Sequence, residues 1–197
     1  MRPLILILAA CLAAGPAFAQ DTTRRVRGAI DAVNGRTLSV TDRGGNPLTI
    51  TLKPNATIVA IVPASLSDIT KGSFVGSAAM PGPDGRLLAI EVHIFPESMR
   101  GTGEGHRPFD LKPESTMTNG TVGDVTATSD TTLTVRYAGG EKQIAITPTT
   151  IIVTYAPGDP SLLAPGQYFT LVATVNPDGT LTTDRINVGK NGLVPPM

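Results

Sequence analysis

The chain repeats itself. Residues Ile50 to Phe95 align without a gap on Ile144 to Gly189, 94 positions further on, and self-similarity at a fixed offset constrains a fold more tightly than composition does. Pro54/Pro148, Ile58-Val59/Ile152-Val153, Pro63/Pro157, Gly72/Gly166 and Pro83-Asp84-Gly85-x-Leu87/Pro177-Asp178-Gly179-x-Leu181 coincide. Upstream, after small gaps, Gly28/Gly120, Val33/Val125, Leu38-x-Val40/Leu133-x-Val135 and Gly44-Gly45/Gly139-Gly140 continue the match. The expected architecture is a tandem of two similar β modules.

Met1-Arg2-Pro3 is a short positive start, Leu4 to Ala14 a short apolar run, and Ala17-Phe18-Ala19 a small-x-small cleavage site. This is the pattern of a secretory signal over residues 1–19, cut near Ala19-Gln20, and it implies a periplasmic or secreted protein. Leu8-Ala9-Ala10-Cys11 also has the form of a lipoprotein box, the alternative in which Cys11 carries lipid. If the cut follows Ala19, the one cysteine leaves with the signal, and the mature chain has neither a disulfide nor a thiolate ligand. No later stretch approaches the roughly 20 apolar residues of a transmembrane helix.

Sixteen basic residues balance sixteen acidic ones. A nucleic-acid partner is therefore not expected, because gripping a phosphate backbone takes a concentrated basic surface, and aromatic residues for stacking bases are scarce.

Each module reads as short strands separated by turns. Val26 to Val33 and Thr37 to Thr41 flank Asn34-Gly35, a tight-hairpin dipeptide, and Gly44-Gly45 makes a second turn. Leu48-x-Ile50-x-Leu52 alternates as a half-buried strand does, whereas Thr57 to Val62 is a β-branched run suited to burial on both faces. Leu66 and Ile69 suggest one helical turn, and Phe74 to Met80 pairs with Leu87 to Phe95 around Pro83-Asp84-Gly85. The predicted fold is all-β: two tandem small OB-like β-barrels of five to six short strands each, spanning 20–96 and 117–189. A sandwich is the structural competitor. Residues 97–116 read as a long, ordered linker without a strand pattern, in which Met99, Phe109 and Leu111 could dock on the barrels, and 190–197 as an extended tail.

The Gly-x-(Ile/Val) opening strand, the returns Gly72-x-x-Val75 and Gly166-x-x-Phe169 and the two Pro-Asp-Gly-x-Leu hairpins resemble the domain-of-unknown-function 5666 group of exported bacterial proteins. The segments Arg100 to Leu111 and Ser115 to Gly120 resemble a subset of that group. The resemblance implies small repeated β-barrels and export, and it carries no activity.

Only His93 and His106 can supply imidazole. With the hairpin turn at Pro83 to Arg86, Ala79 falls opposite Ile90, Ser77 opposite Val92 and Val75 opposite Ile94 as core-facing pairs. Glu91 and His93 then lie on the other face as an outward polar pair, and Arg185 and Asn187 replace them in the second module. Two readings follow. One is a ligand-contacting strip made of Glu91 and His93, completed by Arg100, Glu104, His106, Arg107 and Asp110 from the linker. The other is a solvated strand face with local hydrogen bonds.

As a metal site, His93, His106 and Glu104 would suit zinc or copper(II), and Met80 or Met99 with a histidine would suit copper(I). Gly101-Thr102-Gly103-Glu104-Gly105 lacks the following helix that a phosphate loop needs. Ser98, His106 and Asp110 have the residue types of a hydrolase triad without its nucleophile turn. The sequence therefore predicts a non-enzymatic binding or interaction module of the cell envelope, with no cofactor required and an unidentified protein or small ligand as partner. A metal-binding protein is the alternative, and an envelope structural protein the third.

Overall fold

A computed structural model describes residues 22–82, 84–127 and 131–197. The expected signal segment, Cys11 and the turn residue Pro83 lie outside the described residues. Twelve strands follow in order: β1 (Thr22–Asn34), β2 (Thr37–Asp42), β3 (Pro47–Pro63), β4 (Phe74–Pro81), β5 (Leu87–Ile94), β6 (Gly105–Pro108), β7 (Thr116–Ala127), β8 (Thr131–Tyr137), β9 (Gly140–Ile146), β10 (Ile151–Pro157), β11 (Tyr168–Val175) and β12 (Leu181–Gly189). Short 3-10 turns at Leu66–Asp68 and Pro160–Leu162 precede the hairpins β4–β5 and β11–β12. The protein is all-β, as the turn and alternation pattern requires.

The strands close into small barrels, but each barrel is composite. β1, β2 and β3 are joined by β11 and β12, with β11 against β1 and β12 parallel to β3, which closes five strands. β7, β8 and β9 are joined by β4 and β5, with β4 against β7 and a short parallel closure of β5 on β9. The boundaries 20–96 and 117–189 thus do not enclose one barrel apiece. Each half supplies three strands to one barrel and lends its closing hairpin to the other.

The two hydrophobic cores divide in the same way. One packs Val26, Ile30, Leu38 and Ile50 of the first half against Phe169, Leu171, Ile186 and Val188 of the second. The other packs Val75, Ala89 and Val92 against Val122, Leu133, Val135 and Ile144.

The registers correspond. Gly28 opposes Phe169 in the first barrel as Gly120 opposes Val75 in the second, and Leu181 opposes Ile50 as Leu87 opposes Ile144. At Gly28 an added Cβ would stand 2.1 Å from the Thr41 carbonyl oxygen, and at Gly120 2.3 Å from that of Arg136. Two backbones crossing this closely exclude any side chain, so this matched glycine has a packing cause.

The long β3 accounts for the exchange. The two runs expected at Leu48 to Leu52 and Thr57 to Val62 are one 17-residue strand, and at about 3.3 Å per residue it carries the chain from one barrel to the other. Its distal end pairs antiparallel with β10, with Ile61 opposite Tyr155, and β10 in turn runs parallel to β5. The two barrels therefore share one continuous sheet.

The connecting segment is ordered and holds a strand that composition concealed. β6 pairs with β7, placing Gly105 opposite Asn119 and His106 opposite Thr118. The tail also departs from the expected extended form. Lys190–Gly192 makes a 3-10 turn, Pro195 is buried, and Arg43 donates to the carbonyls of Pro195 and Pro196.

Candidate functional site

Glu91 and His93 are not an outward strip. They are 0% and 2% exposed. Alternation places them opposite the core residue Val92, as expected, but β5 lies inside the shared sheet between β4 and β10, and its outer face is covered as well. The register also slips: Ala79 opposes Ala89, not Ile90, after a bulge next to the Ala78–Glu91 pair. The reading as a solvated face fails, because covering the sheet removes the water that a surface pair would keep.

His93 Nδ1 lies 3.3 Å from Glu91 Oε1, and the ring stands edge-on to Phe95 and Tyr155 at 4.5 and 5.7 Å. Gly76 makes room for it. A Cβ at Gly76 would meet His93 Nε2 at 2.3 Å and Asn119 Oδ1 at 2.6 Å, so the imidazole edge and the amide oxygen converge over a bare patch of β4. Asn119 Nδ2 donates to the Thr102 carbonyl at 2.9 Å, while Oδ1 is buried with no partner. Glu91 Oε2 is likewise buried and unpartnered. Burial first, and then the Glu91 carboxylate, push the Tyr155 hydroxyl well above its ordinary value.

His93, Phe95, Asn119 and Tyr155 line a cleft of about 340 Å³ between the barrels, whereas Glu91, the partner of His93, is not in its lining. Its lining also includes Arg185, Asn187 and Asp184 of β12, Leu171 of β11, and Arg25, Met99, Arg107 and Phe109. Arg185 Nε donates to Asn187 Oδ1 at 3.0 Å, its Nη2 donates to Met99 Sδ at 3.4 Å, and its guanidinium lies 5.6 Å from the Tyr155 ring centre. Arg185 and Asn187 lie 94 positions beyond Glu91 and His93, the offset at which the two halves of the sequence align. The two divergent pairs thus flank Tyr155, one acid and imidazole, the other cationic. All four positions differ between the halves of the sequence, and the topology brings three of them, His93, Arg185 and Asn187, to one cleft.

The linker candidates separate. Arg107 reaches the cleft, where its Nη1 donates to Gly103 O at 2.7 Å. Arg100 turns outward to Glu97 and to the Gly72 carbonyl, and Glu104 accepts from the Ala138 amide at 3.0 Å. Asp110 accepts from Arg27. His106 belongs to the row Val92–Ser77–Thr118–His106 across the sheet, one residue out of step with the row of His93, so the two histidines face opposite sides. His106 Nδ1 instead sits 2.8 Å from Thr118 Oγ1. The set His93, His106 and Glu104 does not converge, and among the described residues no three His, Cys, Asp or Glu side chains form a metal cluster. Nor do His106 and Asp110 meet as triad partners.

Burial, and secondarily Lys142, hold His106 below the usual imidazole value. Its contribution to stability is full above the unfolded value near 6.5 and is lost as pH falls through the folded one, because the unfolded chain takes up the proton first. His106→Gln should therefore flatten the fall in melting temperature between about pH 7 and pH 5. Melts of both proteins at those two pH values check this; parallel curves would remove His106 from the account.

Residues 122–187 match the family described as Domain of unknown function (DUF5666), which supports the resemblance over that stretch. The matched stretch holds most of β7 to β9 of one barrel and the closing hairpin of the other, so it is not a barrel in itself. No curated protein and no solved structure matches the chain.

Proposed function

We propose that the protein is a non-enzymatic binding module of the cell envelope, exported by the segment Met1 to Ala19, whose cleft holds a small anion with a flat apolar body. One observation carries this reading: three guanidiniums, of Arg25, Arg107 and Arg185, against the one carboxylate of Asp184, line a cleft together with His93, Phe95, Phe109 and Tyr155. Guanidiniums take a carboxylate or phosphate through paired N–H groups, and aromatic walls take the apolar body. The unpartnered Asn119 Oδ1 adds an acceptor for a hydroxyl or amine on the same ligand.

Titration of the full mature chain with 2-naphthoate should show one saturable site, weakened about tenfold by Arg185→Gln, the scale of one hydrogen bond to a charged group. An unchanged affinity in that variant, or no saturable binding by the parent protein, would overturn the assignment.

A copper(I) reading has one observation in its favour. His93, Met99, Met117 and Met197 line the same cleft, and thioether with imidazole suits that ion. Against it, Arg185 occupies Met99 Sδ and three guanidiniums repel a cation. Stoichiometric silver(I) uptake abolished by His93→Asn would favour the metal over the anion.

A further inference from the structure

A second concentration of charge lies along β1. Arg24, Arg25, Arg27 and Arg43 line a depression of about 280 Å³ that also contains Asp42 and Asp110, and it shares only Arg25 with the cleft. In a chain whose charges balance sixteen to sixteen, four guanidiniums against two carboxylates leave a local excess of positive charge. Asp42 accepts from the amides of Gly44 and Asn46 at 2.9 Å through Oδ1, and its Oδ2 accepts from Arg24 Nη2 at 3.3 Å, a solvent-exposed pair that a phosphate can displace. The guanidiniums are crowded. Burial pushes Arg25 and Arg43 below the usual value, and Arg27 adds to this in both. Arg27 Nε is buried with no acceptor.

Into this depression the connecting segment inserts one carboxylate. Asp110 accepts from Arg27 Nη2 at 2.7 Å and Nη1 at 3.3 Å and lies 3.9 Å from Arg25, and the Phe109 ring lies 4.7 and 5.4 Å from the two guanidinium carbons. Two carboxylate oxygens on one guanidinium is also the arrangement that two phosphate oxygens adopt. Asp110 is 56% exposed at its side chain, so solvent weakens its hold and a more highly charged group can compete for the same donors.

We propose that this arginine basin binds a phosphate group, and that Asp110 is the internal competitor which the phosphate displaces. The basin shares only Arg25 with the cleft, and Arg185→Gln, which alters the cleft alone, should leave pyrophosphate binding unchanged.

The probe is inorganic pyrophosphate, titrated calorimetrically into the full mature chain at low salt. One site per chain is expected, with affinity falling as salt rises. Asp110→Asn should tighten binding about fivefold by removing the competitor, and Arg24→Gln should weaken it by a similar factor. Tightening cannot arise from a variant that fails to fold. Absence of saturable binding to pyrophosphate and to anionic vesicles alike, or an Asp110→Asn protein that binds no more tightly than the parent, would overturn the proposal.

Sedimentation with phosphatidylcholine vesicles, with and without phosphatidylglycerol, separates the sources of the phosphate. Uptake on the anionic vesicles alone, strengthened by Asp110→Asn and without pyrophosphate binding, assigns the site to a lipid headgroup. Pyrophosphate binding without vesicle uptake assigns it to a soluble phosphate.

Discussion

Expressed without the rest of the chain, residues 20–96 should fail to form a monomeric five-stranded barrel. The fragment would hold β1, β2 and β3 with no β11 or β12 to close them, and a hairpin β4–β5 with no β7 or β9 to receive it. Val26, Ile30, Leu38, Val40 and Ile50 would lose Phe169, Leu171, Ile186 and Val188 and face water, while the free edge of β1 would be left to pair at random. Two outcomes agree with the structure: an unfolded fragment, or a dimer in which two copies exchange hairpins as the two halves do. Light scattering and circular dichroism distinguish them. A monomeric fragment that melts cooperatively would overturn this expectation, because β4–β5 would then close its own module, and mixing with residues 97–197 should restore the protection lost by either piece.

The second large effect is expected at Phe169, 1% exposed in the core of the first barrel. Phe169→Ala should cost about 3–5 kcal/mol, the range for deleting a buried aromatic ring, against a total stability of about 5–15 kcal/mol for a typical domain. The informative readout is location. Phe169 belongs to the second half by sequence but packs against Val26, Ile30 and Leu38 of the first. Amide exchange should therefore lose protection first in β1 to β3, and Val75→Ala should do the converse in β7 to β9. Protection lost in β7 to β9 on replacing Phe169 would contradict the core assignments. The milder Phe169→Leu gives the same map if the alanine variant is too unstable to purify.

Hairpins were legible because their signals are local: Asn34-Gly35, with Gly35 at φ 59°, joins β1 to β2, and Gly85, at φ 81°, lies in the β4–β5 turn. Core positions such as Leu38, Val40, Leu133 and Val135 were legible as matched alternation, and all four are buried. The partner of each hairpin was not legible. A strand with the pattern of β11 fits its own module or the other equally well, because the two copies present nearly the same edge and core.

The candidate site failed in an instructive way at Glu91 and His93. Period-two alternation says which residues share a face, and it put these two opposite Val92 correctly. It says nothing of what covers that face, and both residues proved buried. β6 escaped notice because Gly105-His106-Arg107-Pro108 carries no apolar alternation; its pairing is set by the neighbouring β7. Arg25 and Tyr155 carried no signal at all, since each is an ordinary strand residue until the barrels meet, and Asn119 stood out only as part of the segment Ser115 to Gly120.

By itself the sequence determined the all-β class, the turns, the alternating cores and the positions at which the halves diverge, because each rests on interactions between near neighbours in the chain. The tertiary structure alone decided that the halves exchange hairpins, that Glu91 and His93 are enclosed, and that Arg185 and His93 come to the same Tyr155 ring. Those outcomes depend on contacts between strands far apart in the chain, such as Thr22 with Val175 and Ile50 with Leu181, and similar edges leave such contacts open until the chain has closed on itself.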